Sequence, residues 1–281
     1  MDTNWITNKD GSIYHLNIFR DDLADTIITV GDPNRAEQVS KYFDTIDICK
    51  QSREFITTTG SIGSKKISVV STGIGVDNID IVINEIDYLF NGHSIDECTK
   101  KGFTPLTFIR LGTSGAIQDT IPIDSLLISS QVIHRSCFLS YYPCEAIKRM
   151  PEIEGLSGFP AMPVYLCECD AALLSHFKCR EFLEGTTMTC DGFYVPQGRS
   201  NRLLENKLLE DWSRIETEEF GIICNLEMET AGIYGLSKYF GHRAISINAI
   251  LANRINHQFS ANPEQTIEKM IKISLEKILT L

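Results

Sequence analysis

The sequence lacks any long apolar run, and no stretch approaches the ~20 consecutive apolar residues that a bilayer-spanning helix needs. It also lacks an excess of basic residues, since the formal net charge is -11. That charge argues against a nucleic-acid-binding protein, whose affinity depends on a dense basic face. An anionic substrate would therefore be captured by a few local arginines. The N-terminal residues 1–6 lack a signal-peptide profile, so we expect a cytoplasmic protein with no membrane partner.

Cofactor motifs are missing as well. The nine cysteines are an odd number, scattered, and contain no Cys-x-x-Cys pair. Reduced thiols are therefore expected, and neither a disulfide framework nor a metal site is predicted. The glycine-rich segments do not have the spacing Gly-x-Gly-x-x-Gly, and no Walker lysine follows any of them. Dinucleotide-binding and P-loop functions are therefore excluded, and no organic cofactor is expected.

The 281 residues contain no internal repeat, low-complexity tract or linker, which favours a single domain over residues 1–281. Runs rich in β-branched and apolar residues predict strands near 26–30, 45–50, 54–62, 65–71, 106–111, 123–133, 186–190, 221–225 and 242–251. A 3.6-residue period predicts helices near 33–43, 79–90, 170–183, 201–212, 229–240 and 262–280. The segment 91–105 is predicted as a loop, and 136–165 as irregular. Strands alternating with helices indicate a three-layer α/β/α fold with a central mixed sheet.

Glycine-rich turns follow three of these strands, beginning at Gly31, Thr72 and Gly112. Glycine allows close approach of a ligand to the backbone, and a following helix N-terminus favours an anion. Arg35 lies in the first turn of a helix, and Arg110 lies within an otherwise apolar strand. Two such arginines beside glycine-rich turns indicate a phosphate site. The alternative is that Arg35 is solvated and Arg110 pairs with a structural carboxylate.

Gln197 and Arg199 form a second candidate group. An amide supplies both a donor and an acceptor, and a guanidinium supplies a fork of donors, which together match the edge of a uracil ring. Phe193 is close enough in sequence to offer the ring a stacking face. The alternative is an ordinary solvated surface pair.

Two carboxylates form a third candidate group at the junction between a strand and a helix. Glu227 and Glu229 are suited either to capping the helix or to accepting hydrogen bonds from a sugar diol. Met228 between them is suited to packing under a furanose ring.

Seven ordered motifs of this chain resemble those of the uridine phosphorylases in the hexameric nucleoside phosphorylase family. They are Gly-Asp-Pro-x-Arg from Gly31, Ser-x-Arg-Glu-Phe from Ser52, Ser-Thr-Gly-Ile-Gly from Ser71, Arg-x-Gly-Thr-x-Gly-Ala from Arg110, Phe-Tyr-x-x-Gln-x-Arg from Phe193, Glu-Met-Glu-Thr from Glu227, and Asn253-Arg254. The resemblance runs from about Tyr14 to the C-terminal helix. It implies reversible phosphorolysis of uridine, or of deoxyuridine or thymidine, to uracil and ribose 1-phosphate.

The resemblance also implies a role for individual residues. Those expected to bind phosphate are Gly31, Arg35, Arg53, Arg110 and Thr113. Those expected to hold ribose are His15, Thr113, Glu227, Met228 and Glu229. Those expected to hold the base are Phe193, Gln197, Arg199 and Arg254. The catalytic set is Arg110, Glu229, Arg199 and Arg254.

His15 and Arg53 are expected to cross to the site of a neighbouring subunit, which implies a homodimer as the minimal active unit and allows a hexamer. A monovalent cation between subunits near Glu54 stays open. Val76 departs from the glycine that bacterial relatives often have there.

Three alternatives accompany this interpretation. In purine enzymes of the family an aspartate near the position of Asn253 protonates the base, and Leu251-Ala-Asn-Arg254 has no such acid. A nucleosidase would use water in place of phosphate, but would not need Arg35, Arg53 and Arg110 together. A non-catalytic nucleoside or phosphate sensor is the third alternative.

Overall fold

The computed structural model describes residue 3, residues 5–153, residue 156 and residues 162–281. The strands are β1 (Thr26–Val30), β2 (Thr45–Ser52), β3 (Phe55–Ile62), β4 (Lys65–Ser71), β5 (Thr107–Ala116), β6 (Leu126–Arg135), β7 (Lys148–Arg149), β8 (Val164–Glu168), β9 (Phe182–Thr189), β10 (Glu216–Thr217), β11 (Gly221–Glu227), β12 (Arg243–Asn253) and β13 (Gln258–Phe259). The helices are α1 (Pro33–Ser40), α2 (Val76–Asn91), α3 (Ile95–Lys101), α4 (Ala171–Phe177), α5 (Leu208–Trp212), α6 (Thr230–Phe240) and α7 (Pro263–Ile278). None of the helices in the described ranges is both long and apolar enough to cross a membrane.

The strands form one mixed sheet in the order β10-β11-β9-β6-β12-β5-β1-β4-β3-β2. Strand β5 runs parallel to β1 and to β12 at its centre. Strand β11 pairs with β9 and also with β5, through Asn225 opposite Ala116 and Leu226 opposite Gly115. Strands β5, β12, β6, β9 and β11 therefore close into a ring, which we call the five-stranded ring. The mixed sheet confirms the predicted fold class, whereas the closure of the ring was not predicted.

Helices cover both faces of the sheet, because neighbouring residues of a strand point to opposite sides. Ile27 and Phe108 face one apolar core with α2 and α6. Ile28 and Ile109 face the other core with α1, α4 and α7. The predicted three-layer arrangement is confirmed.

Helix α1 begins as the sequence predicts, with Asp32 as N-cap and Pro33 at the first position. The Asp32 side chain accepts a hydrogen bond from the Asn34 N–H at 2.9 Å. The helix ends at Ser40 and not at 43, because the last turn tightens into hydrogen bonds between residues three apart. The strands predicted in the first half of the chain are confirmed, and β5 continues beyond 111 through its glycines to Ala116.

Three predicted elements were wrong or too long. The segment 91–105 contains helix α3, whose N-cap Ser94 accepts from the Glu97 N–H and whose C-cap is Gly102. The helix predicted at 201–212 begins only at Leu208, because the Asn201 and Asn206 side chains hydrogen-bond nearby backbone N–H groups and compete with helix formation. The helix predicted at 170–183 ends at Phe177, and the last two residues of that range belong to β9.

The segment 136–165 is largely irregular where it is described. It holds a short 3₁₀ turn at Phe138–Tyr141, the two-residue strand β7 and the first residues of β8. Residues 154, 155 and 157–161 of this segment lie outside the described residues.

Candidate active site

Arg110 lies at the centre of a buried charged cluster at the end of the sheet. It is 5% exposed, and its Nη2 lies 2.6 Å from Glu229 Oε2 and 3.0 Å from Glu227 Oε2. Its Nη1 donates to Asn248 Oδ1 at 2.8 Å. Burial opposes the charged guanidinium, but the two carboxylates outweigh burial and raise the pKa of Arg110. The side chain is therefore a cation held in one orientation, as the carboxylate-pairing alternative predicts.

Two glycines support this cluster, one by leaving space and one by a backbone hydrogen bond. A Cβ at Gly112 would lie 2.0 Å from Arg110 Nη1, so only glycine leaves space for the guanidinium. Gly75 has a φ of +95° and its N–H donates to Glu229 Oε1 at 2.8 Å. The glycine-rich turns after β4 and within β5 thus hold the charged residues directly.

The two carboxylates have different surroundings. Glu227 Oε2 accepts from the backbone N–H groups of Glu229 and Thr230, each at 2.9 Å, and its Oε1 accepts from the Thr189 hydroxyl. Glu227 therefore caps the start of α6 and steadies Arg110, with both oxygens engaged by protein. Its predicted contact with ribose stays a prediction.

Glu229 is the second carboxylate of the cluster. Burial raises the pKa of its carboxyl, against the opposing effect of Arg110. Met228, next to it, is partly exposed. Both oxygens of Glu229 are also engaged by protein, Oε1 by the Gly75 N–H and Oε2 by Arg110, so its predicted contact with ribose also stays a prediction.

Arg35 is a second buried cation, 8% exposed, on the first turn of α1. Its Nη1 donates to the Leu111 carbonyl at 3.3 Å, and within the described part of the chain its Nε has no hydrogen-bond partner. Among the described residues it forms no ion pair. Burial, followed by repulsion from Arg110, lowers the pKa of Arg35. A buried guanidinium with spare donors and a like charge nearby is an arrangement that a bound anion would stabilise.

Gln197, Arg199 and Arg254 converge from two distant parts of the chain. Arg199 Nη1 donates to Gln197 Oε1 at 2.9 Å and to the Phe193 carbonyl, and Arg254 Nη1 donates to the Gln197 carbonyl. The Arg199 guanidinium lies 3.8 Å from the centre of the Phe193 ring. The surface alternative for Gln197 is wrong, because this side chain is 4% exposed.

The two arginines of this group lack a compensating acid. Burial, followed by the neighbouring Arg199, lowers the pKa of Arg254 to about 10, and burial lowers the pKa of Arg199. Neither forms an ion pair with any carboxylate in the described part of the chain. The group is therefore suited to a ligand with acceptor oxygens or developing negative charge.

Asp191, at the start of the segment 191–199, is held by a buried histidine that the sequence did not point to. His134 Nε2 lies 2.7 Å from Asp191 Oδ1. Burial alone would raise the pKa of Asp191, but the hydrogen bonds to His134 and Ser136 and the electrostatic effect of His134 together outweigh burial and lower that pKa. A cavity of about 200 Å³ lies beside the same segment, lined by Asp191, Pro196 and Trp212 among others.

His15 and Arg53 lie together on an outer face of the chain. The Arg53 guanidinium lies 5.6 Å from the Tyr14 ring, which packs edge-on against His15. His15 Nδ1 lies 2.6 Å from Glu85 Oε1, and Nε2, which has no hydrogen-bond partner among the residues that the structure describes, can meet another group. Within the described residues, no hydrogen bond or ion pair joins either residue to the Arg110 cluster.

The remaining predicted residues lie at the same end of the sheet. A Cβ on Gly31 would come within 3.3 Å of the Gly73 carbonyl. Thr113 is partly exposed on β5, opposite Ala249 of β12. Glu54 is exposed, and the question of a monovalent cation near it stays open.

The geometry can be compared with known proteins. The family model described as the phosphorylase superfamily matches residues 25–280. The chain belongs to the phosphorylase superfamily. The family resemblance that the seven motifs indicated is thereby confirmed.

Relatives within the superfamily cover nearly the whole chain. The uridine phosphorylase of Haemophilus influenzae is 28% identical over 274 residues, which are 93% of this chain and 95% of the relative. A purine nucleoside phosphorylase of the DeoD type from Clostridium perfringens is 27% identical over 272 residues, 95% and 99% of the two chains. A Trypanosoma brucei nucleoside phosphorylase, whose crystal structure is described as showing uridine phosphorylase activity, superposes with a TM-score of 0.84 at 26% identity. It covers 99% of this chain and 100% of its own.

Proposed function

We propose that this enzyme is a uridine phosphorylase, which converts uridine and phosphate reversibly to uracil and ribose 1-phosphate. A phosphate oxygen forms the new bond to C1' as the C1'–N1 bond breaks, and the bonding electron pair leaves with N1 of uracil. The sugar passes through a cationic state of the kind that glycoside cleavage also requires. No nucleophile from the protein is needed, because phosphate supplies it.

The observation that carries this proposal is the group formed by Gln197, Arg199 and Arg254. Its buried amide and two acid-free guanidinium groups match the acceptor–donor–acceptor edge of uracil. As N1 leaves, negative charge spreads to the ring oxygens, where these donors stabilise it. Phe193, 52% exposed, offers a ring on which the base can stack.

Arg35 and Arg110 support the phosphate half of the proposal. Arg35 is buried with spare donors, and Arg110 lies close enough to repel it, so a dianion between them relieves both. Glu229 is anchored by Gly75 and Arg110, and is proposed to accept from the ribose hydroxyls and to stabilise the cationic sugar.

A purine enzyme is the second candidate, because purine phosphorylases are also among the relatives. Asn253 stands near the position where such enzymes have an acid for the base. Its amide donates to the carbonyls of Gln118 and Ile121, both at 2.8 Å, and its oxygen accepts from Ile255 and Asn256. The side chain is therefore committed to the loop and has no proton to give a purine.

One assay separates these activities. The enzyme is incubated with uridine, thymidine or inosine, each with and without phosphate, and release of the base is measured. Phosphate-dependent release of uracil supports the proposal. Release without phosphate would identify a nucleosidase, faster release of hypoxanthine from inosine a purine enzyme, and no release a binding protein without this activity.

We further propose that the active unit is at least a dimer, in which His15 and Arg53 complete the site of a neighbouring subunit. Glu85 orients His15, and both side chains lie on one outer face. Alanine at His15 is expected to raise the KM for uridine without lowering the thermal midpoint of unfolding. A monomer that is fully active at high dilution would refute the proposal.

A further inference from the structure

A chain of buried hydrogen bonds runs once around the five-stranded ring. Arg110 of β5 donates to Asn248 of β12, whose amide donates to the Ser129 hydroxyl of β6 at 3.0 Å. Ser129 bonds to the Thr187 hydroxyl of β9. Thr187 donates to Asn225 of β11 at 2.8 Å.

The chain then returns to the strand on which it began. Asn225 Nδ2 donates to Ser114 Oγ of β5 at 2.8 Å. Asn248, Ser129, Thr187 and Asn225 are all 0% exposed. Each strand of the ring thus contributes a polar side chain where an apolar residue would otherwise pack. Burying these polar groups destabilises the fold unless all of their hydrogen bonds are made.

The direction of these bonds is determined by their chemistry. A guanidinium only donates, so the Asn248 oxygen faces Arg110 and its NH₂ faces Ser129. The Thr187 hydroxyl donates its single hydrogen to Asn225, so the Ser129 hydroxyl must donate to Thr187. Every member therefore donates in the same sense, which strengthens successive bonds. The last member, Ser114, accepts from Asn225 and keeps its own hydrogen, for which the described residues supply no acceptor.

Ser114 lies between the two halves of the site. Two residues before it, Gly112 would place a Cβ against the Arg110 guanidinium, and one residue after it, Gly115 would place a Cβ 3.4 Å from the Arg254 side chain. Along β5, Ser114 therefore lies between a residue that contacts the cation of the phosphate side and a residue that contacts the cation of the base side. The bound nucleoside occupies that interval under the proposed function, on which this inference rests.

We infer that the buried hydrogen-bond chain is a positioning device that links Arg110 to Ser114 and turns the Ser114 hydrogen toward the bound nucleoside. Asn248, Ser129, Thr187 and Asn225 are its positioning residues, since none of them needs to touch substrate. Ser114 is the binding residue at its end.

The test breaks the chain far from the substrate. Thr187→Val keeps the shape but removes the hydroxyl, and Ser114→Ala removes the last member. Each is expected to lower kcat/KM for uridine by about 2- to 10-fold, the effect of one lost hydrogen bond, with the KM for phosphate unchanged. The double variant is expected to be no worse than the larger single effect, because the two residues act through one chain.

Two matched variants separate positioning from stability. Thr186 is the buried neighbour of Thr187 on β9, and its hydroxyl bonds to the Phe220 carbonyl outside the chain. Thr186→Val is expected to lower stability as Thr187→Val does but to leave the kinetics at the wild-type level, and Thr187→Ser is expected to restore them.

Failure of the proposed function and failure of this inference give different results. A wild-type enzyme that releases no uracil from uridine would overturn the proposed function and this inference with it. An active wild type whose Ser114→Ala variant has unchanged kinetics would overturn the inference alone, as would losses that add in the double variant. If Thr187→Val does not fold, Ser114→Ala, which changes a partly exposed side chain, decides the outcome.

Discussion

Replacing Arg199 with alanine is expected to lower kcat for uridine by about 10² to 10³, the loss typical of one donor aimed at developing charge, or about 3–4 kcal/mol. The structure places the loss at the upper end of this range. Arg199 also holds the Gln197 amide through Oε1 and stacks on Phe193, so its removal releases a second base-binding group. Arg199→Lys keeps the charge but lacks the planar fork of donors and the stacking on Phe193, so its kcat is expected to fall between those of the wild type and Arg199→Ala.

The assay is the initial rate of uracil release at saturating phosphate, with the thermal midpoint measured on the same preparations. Arg202→Ala is the control, because Arg202 is exposed three residues away. It is expected to match the wild type. A folded Arg199→Ala enzyme with kcat within about threefold of wild type would refute the role of Arg199 in stabilising the departing base, since the donor effect is far larger.

Three further predictions follow from the charges of the site. Arg35→Met is expected to raise the KM for phosphate at least about tenfold in initial-rate assays. Its stability in phosphate-free buffer is expected to be unchanged or higher, because a buried cation that Arg110 repels has been removed. A fall in stability with an unchanged KM would contradict this prediction. Glu229→Gln is expected to lower kcat for uridine about 10²-fold, because the cationic sugar loses its counter-charge. An unchanged kcat would exclude this role of Glu229. The Asp191 pKa is lowered, so its stabilising effect is full above the unfolded pKa and is lost as pH falls through the folded pKa. The stability gap between wild type and Asp191→Asn, measured by urea unfolding, should therefore shrink from pH 7 to pH 3, and a constant gap would refute the assignment.

Much of the fold could be predicted because its signals are local. Asp32 followed by Pro33 begins α1, and runs rich in β-branched residues mark β1 to β4. Helix α3 was missed although Ser94, Glu97 and Gly102 carry ordinary capping signals, because its residues include no apolar stripe to bury. Closure of the ring depends on β11 pairing with β5, more than a hundred positions apart, and no local pattern encodes such a pairing.

The site divides in the same way. Arg110, Glu229, Gln197 and Arg199 stand beside glycines or at strand ends, and their residue types alone indicated chemistry. Residues that act through others have no such signal. Asn248 lies within a strand whose other residues are mostly apolar. Its amide can accept a hydrogen bond from Arg110 only because β12 lies beside β5.

Glu85 and His134 are further examples of the same difficulty. Glu85 contacts the predicted residue His15, and His134 contacts Asp191, which precedes the predicted base-binding residues. An isolated acid on a helix, or a histidine within a strand, is ordinarily a structural residue, so the sequence alone could not single them out.

In the proposed reaction, phosphate itself attacks C1' of uridine. A test of this step supplies phosphate labelled with ¹⁸O in all four oxygens and analyses the sugar product by mass spectrometry. The proposed reaction predicts ribose 1-phosphate carrying the whole label, formed in equal amount to uracil. Unlabelled free ribose as the sugar product would show that water is the nucleophile, and would contradict the proposed function.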